Sequence, residues 1–145
     1  MAVTQPVVCQ NTGTVQSGTS VKCILQYTAP AGGADVDLME VSVKEIVTDF
    51  KPFFQWKRGV ASGTAGSGGE VVAVDGRVAN AAEGTAAQDF SANPTGGVNA
   101  GPGVFTTGHT SREVIRLGGG EKLACFVTSD NDVVVHARCR VKTNP

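Results

Sequence analysis

The strand pattern near the C-terminus constrains this chain most. From Val133 to Lys142, the residues Val133, Val135, Ala137, Cys139 and Val141 fall on one face, while Val134, His136, Arg138, Arg140 and Lys142 fall on the other. A period of two is the signature of a half-buried β-strand, because successive side chains of a strand point to opposite faces. The segment Leu38 to Val47 repeats it, with Met39, Val41, Val43 and Val47 opposed to Glu40, Ser42 and Lys44. Leu38, Val41 and Glu45 also fit helical spacing, but the density of valine favours the strand.

Further strands follow from branched and aromatic runs between turn residues. Val21 to Tyr27 lies between Ser17-Gly18-Thr19 and Ala29-Pro30-Ala31-Gly32-Gly33. Glu70 to Val74 reads as another strand, ending at Asp75-Gly76. Arg112–Leu117, Lys122–Thr128 and Val133–Lys142, joined by Gly118-Gly119-Gly120-Glu121 and Ser129-Asp130-Asn131-Asp132, read as a three-strand meander. Pairing the last two strands with Leu123, Cys125 and Val127 on the same side as Val133 and Val135 requires an odd, bulged loop. Cys125 then faces Val135 or Ala137, so no disulfide to Cys139 is expected within that hairpin.

Two stretches, 60–69 and 84–103, are rich in Gly, Ala, Ser and Asn and read as flexible loops, as does the arm 1–6. The short tail Lys142–Pro145 is a further candidate for a segment that orders on a neighbour. The expectation is a single all-β domain over residues 1–145, an antiparallel β-sandwich or jelly roll with about eight strands and long loops.

Function classes are narrowed by what accompanies the strands. With 12 basic and 13 acidic side chains and a net charge of -1, bulk electrostatics offers no hold on nucleic acid. No apolar run approaches the roughly 18 residues that cross a bilayer, so no membrane is expected. The start Met1-Ala2-Val3-Thr4-Gln5-Pro6 lacks the basic and apolar regions of a secretory signal, which points to a reducing cytosol. Cys9, Cys23, Cys125 and Cys139 are then read as buried thiols on strands. Each pair is 14 residues apart, far from the close spacing of a zinc site.

No catalytic constellation, cofactor site or metal site emerges. A metal-dependent cupin needs several histidines and a carboxylate, whereas only His109, in a turn-like run, and His136, on a polar strand face, are present. No G-x-S-x-G elbow occurs, and Gly118-Gly119-Gly120 opens no helix and reads as a turn. Two features suit an interface instead. Arg138, Arg140 and Lys142 form a basic row, in a stretch (Arg112 to Lys142) with 6 basic against 4 acidic residues. The run Phe50-Lys51-Pro52-Phe53-Phe54-Gln55-Trp56-Lys57-Arg58 holds four of the eight aromatics. Phe53 and Phe54, being consecutive, must point to opposite faces of a strand, so Phe53, Phe54, Trp56 and Arg58 are candidates for core or interface.

The run Glu121-Lys122-Leu123-Ala124-Cys125-Phe126-Val127-Thr128, followed by Val133-Val134-Val135-His136-Ala137, resembles the closing strands of trimeric virion jelly rolls. Over its last third the chain is similar to the capsid decoration, or cement, proteins of tailed bacteriophages. That resemblance implies a homotrimer, without catalysis, made in the host cytoplasm and seated on the major capsid protein where capsomers meet. Three copies held together would gain affinity by multivalency. Two alternatives stand beside it: a carbohydrate-binding module or fibre tip using Trp56 and Tyr27 to stack on sugars, and a cupin-like enzyme.

Overall fold

The computed structural model describes residues 7–15, 21–46, 53–65, 84–87, 90–101, 109–111, 114–128 and 133–143. Among them there is no helix, and the all-β expectation holds. The strands are β1 (Val7–Val15), β2 (Val21–Thr28), β3 (Ala34–Ile46), β4 (Phe53–Arg58), β5 (Thr64–Ala65) and β6 (Thr85–Ala87). They continue as β7 (Phe90–Ala92), β8 (Val98–Asn99), β9 (His109–Ser111), β10 (Ile115–Leu117), β11 (Lys122–Thr128) and β12 (Val133–Thr143).

Two antiparallel five-stranded sheets form a sandwich. The first runs β1-β12-β3-β10, with β9 also on β3, and the second runs β6-β2-β11-β4-β8. The core lies between them. Val36, Met39, Val41, Leu117, Val135, Ala137, Cys139 and Val141 come from the first sheet. Leu25, Tyr27, Phe54, Trp56, Leu123, Cys125 and Val127 come from the second. Burying these apolar surfaces drives the two sheets together, and no single sheet can do it alone.

Bulges adjust which residues reach that core. In the ladder between β3 and β12, Val36 faces Val141 and Leu38 faces Arg140, which leaves Asp37 as the extra residue. Even-numbered Val36 points inward before it, and odd-numbered Met39 and Val41 point inward after it. On β2, Ile24 is the extra residue between Cys23, opposite Phe126, and Leu25, opposite Cys125. Ile24 and Leu25 thereby both enter the main core, and Cys23 is left on the outer face.

Several expectations are corrected here. β11 and β12 do not form a hairpin: β11 pairs β2 and β4, and β12 pairs β1 and β3, in the opposite sheet. The apolar faces of the two strands look at each other across the sandwich, an arrangement that period-two alternation does not distinguish from a hairpin. β10, too, lies in the first sheet, so the chain changes sheet at each connection of the expected meander. The stretch 84–103 is not devoid of regular structure, since it supplies β6, β7 and β8. Small residues leave little side-chain pattern to read, yet their backbones complete sheet edges. His109 stands in a strand rather than a turn, and Lys142 and Thr143 belong to β12 rather than to a loose tail. The arm 1–6 and the predicted strand 70–74 lie outside the described residues.

Candidate docking surface

The two outer faces of the sandwich differ in character. On the first sheet, the basic row of β12 is matched by carboxylates of β3. Arg138 Nε lies 3.0 Å from Glu40, its register partner, and Arg140 Nε donates to Asp37 at 2.8 Å. Arg116 of β10 reaches Asp35 at 3.0 Å. Asp37 is the bulged residue, so the bulge also brings its carboxylate to Arg140, where the bond raises the guanidinium's affinity for its proton. Lys142 is exposed at the end of the row, opposite Asp35. Arg138 and Arg140 thus answer charges of their own sheet, and the described side chains of β3, β10 and β12 form a cross-strand ion-pair ladder. The partnership of these arginines with Asp35, Asp37 and Glu40 depends on a register between segments roughly a hundred residues apart in the chain, which no local pattern marks.

The second sheet carries apolar residues outward. Here β4 exposes alternate residues: Phe54 and Trp56 are fully buried in the core, while Phe53, Gln55 and Lys57 lie on the outer side. The consecutive phenylalanines do part to opposite faces, and Phe53 is the exposed one. Phe126, Ala124 and Cys23 share the outer face and pack with Val60 and Phe90 in a second, smaller apolar cluster.

A strap crosses this face. It starts at β7, which pairs β5 and sends Phe90 into the outer cluster. At the β2 side, Asn93 Oδ1 accepts from the Cys23 amide at 3.0 Å, and Asn93 Nδ2 donates to the Val21 carbonyl at 2.5 Å. One side-chain amide thus satisfies both backbone groups that a neighbouring strand would otherwise take. The strap bridges Ala61 through Thr95, then joins the β4 edge as β8, where the Gln55 amide donates to Asn99. Between strap and sheet lies a cleft of about 250 Å³, lined by Val21, Phe53, Gln55, Lys57, Pro94 and Phe126 among others. At its mouth Phe53 is 43% and Val21 49% exposed, large values for such apolar side chains. The Lys57 ammonium stands 5.7 Å from the centre of the Phe126 ring, within cation–π range.

Trp56 and Tyr27, the two residues suited to stacking on sugars, are both about 1% exposed inside the sandwich. Arg58 is engaged as well. It holds Glu121 through Nε at 2.7 Å and Nη2 at 2.9 Å, and also donates to the Arg116 carbonyl of the opposite sheet. Glu121 in turn accepts from the Gly118 amide at 3.0 Å. This clasp ties β4 to the turn between β10 and β11, where the chain passes from one sheet to the other. The bonds from Arg58 and Gly118 hold the Glu121 carboxyl below the usual carboxylate range, against an opposing effect of burial. Its contribution to stability is therefore complete above the unfolded-state value and is lost as the pH falls through the folded one. Glu121→Gln is expected to cost about 1 kcal/mol near pH 7, the pair being partly solvated. The cost should shrink as the pH falls through the folded-state value, so thermal melts of the two proteins should converge on acidification.

The thiols are placed for packing. Burial pushes the Cys23 thiol up to about 12, and raises that of Cys125 well above its ordinary value, with Cys23 adding to the effect. Both are free and buried. Thiolate is the reactive form, so neither should be labelled by a thiol reagent in native protein, and both should react in denaturant. Peptide mapping checks this, and prompt native labelling of Cys23 would mean that the strap lifts.

Among the described residues no group of three or more His, Cys, Asp or Glu is positioned to hold a metal ion. Nor is any helix there long and apolar enough to cross a membrane. Compared with known proteins, the chain matches no family model, no curated protein and no solved structure.

Proposed function

We propose that this protein is a non-enzymatic structural component of a virus capsid, a decoration protein that associates with copies of itself and stabilises the shell on which it sits. The observation that carries the reading is the exposure of Phe53 and Val21 at the mouth of the strapped cleft. Aromatic residues beside a well-packed pocket are the usual anchors of protein interfaces, where their large area becomes buried with little loss of conformational freedom. Among the described residues, the arginines of the first sheet's outer face are answered by carboxylates of their own sheet, which favours the second sheet as the contact surface. A rigid sandwich presenting one sticky end suits a component that assembles symmetrically, and the C-terminal resemblance to phage decoration proteins supplies the setting.

A second copy of this chain is the proposed occupant of the Phe53 end, with the major capsid protein beneath the assembled ring. The mass in solution, measured by light scattering, is expected to be that of a trimer. Phe53→Ser should shift it towards monomer by about tenfold or more in dissociation constant, since an interface anchor contributes about 1.5–3 kcal/mol. The same substitution should leave the melting temperature of the isolated chain within a few degrees. A strict monomer at all concentrations, or a trimer indifferent to Phe53, would overturn the reading.

A further inference from the structure

We propose that the cleft beneath the strap is a binding site for a small aromatic carboxylate, with the ring held at the apolar end of the cleft and the carboxylate held by Lys57. The outer row of β4 grades from apolar to cationic. Phe53, Gln55 and Lys57 follow at alternate positions, so about 13 Å of strand separates the first from the last. Phe126 lies alongside as the register partner of Gln55, midway between the two ends. The Lys57 ammonium stands over the Phe126 ring at 5.7 Å, and both residues line the cleft. Among the described lining residues there is no Asp or Glu. Arg58, Arg116, Arg138 and Arg140 are each answered by a carboxylate, whereas among the described residues none is placed on Lys57. A half-buried ammonium bordered by aromatic rings favours an anion, because a charge-assisted bond is stronger in a partly dehydrated site than in open water.

The shape of the cleft selects the rest of the ligand. Pro94 belongs to its roof, and the residues on both sides of that proline are pinned: Asn93 to Val21 and Cys23, and Thr95 to Ala61. The roof is thus fixed at both edges before a ligand arrives, and binding requires no ordering of a loop. At about 250 Å³ the cleft falls just below the roughly 300–1,000 Å³ of drug-sized sites, which suits a molecule with a single ring. Aromatic rings favour offset or edge-to-face contact with other rings, and Phe53 and Phe126 offer both. Asn93 engages its side-chain amide with β2, and Gln55 donates to Asn99, so Lys57 is the group that orients the ligand. The ligand lies inward of the Phe53 mouth and within one chain. The inference therefore goes beyond the proposed capsid role and does not depend on it.

The test is titration of the unaltered protein with 3-phenylpropionate, followed by NMR of the backbone amides, beside the same titration with 3-phenylpropanamide, a neutral molecule of the same shape. The expected result is saturable binding of one molecule per chain, with shifts concentrated on β4, β11 and the strap. The dissociation constant should be at least about tenfold lower for the acid than for the amide. Lys57→Met should weaken the acid about tenfold, leave the amide unchanged and melt within a few degrees of the unaltered chain. Lys57→Arg should keep acid binding to within a few-fold. The comparison of acid with amide needs no variant and decides the matter even where a variant fails to fold. No saturable binding at millimolar concentration, equal affinity for acid and amide, acid binding indifferent to Lys57→Met, or the same shifts produced by acetate would each overturn the proposal.

Discussion

Trp56→Ala is expected to destabilise the protein by about 3–5 kcal/mol, a third or more of the stability of an ordinary domain. Trp56 is the largest fully buried side chain and sits in the main core, with Cys125 as its register partner. Truncation removes its transfer free energy and leaves a cavity that the opposing sheet cannot fill by collapse. At this chain length the cost corresponds to a fall of roughly 6–20 °C in melting temperature. Trp56→Phe should behave differently. The indole Nε1 is buried without a hydrogen-bond partner, so the wild-type residue already carries a desolvation penalty that phenylalanine removes. That gain offsets much of the lost contact area, and a net change within about 1 kcal/mol is expected. Because this is the chain's only tryptophan, both variants must be followed by circular dichroism. A stable, fully folded Trp56→Ala protein that had lost binding to a glycan would instead give Trp56 a surface role.

The same residue shows what the sequence could and could not disclose. Alternation told which residues of β4 share a face, and Phe53 and Phe54 do separate as their adjacency required. It did not tell which face was inside, because both faces of β4 carry aromatic or amphipathic side chains. The outer face is itself partly roofed, by Phe90 and by a strap written in Gly, Asn, Pro and Thr, residues without a hydrophobic signature. Asn93 has no local mark at all, since its two bonds to β2 span some seventy residues of chain. The ion-pair ladder was half legible: the basic row was plain, but its neutralisation by Asp35, Asp37 and Glu40 depends on strand register and on a bulge. The largest misreading, the hairpin of β11 and β12, has the same origin. Periodicity fixes a strand's faces and is silent about its neighbours, and in a sandwich the sequence neighbour is often in the other sheet.

A tight backbone constraint outside the core lies where two such crossings meet. The connection from β2 to β3 and the turn from β10 to β11 both carry the chain between sheets, and they touch. Ala29 donates to the Glu121 carbonyl at 2.9 Å, and Gly120 donates to the Ala29 carbonyl at 3.2 Å. Gly119→Ala is expected to cost about 3 kcal/mol, because the new Cβ would stand 2.2 Å from the Ala31 carbonyl oxygen and 3.0 Å from its carbon. These are backbone atoms and cannot swing aside, so one crossing must move away from the other and loosen the Arg58–Glu121 clasp beside them. Gly120 supplies the control. It holds a left-handed φ of +74°, but a Cβ there meets nothing within 4 Å. Gly120→Ala should therefore show conformational strain alone, about 1 kcal/mol. Urea titrations of the two variants should rank Gly119→Ala clearly below Gly120→Ala. The reverse order would mean that the two crossings are not in contact, and that the sandwich is not closed at this end in the way described.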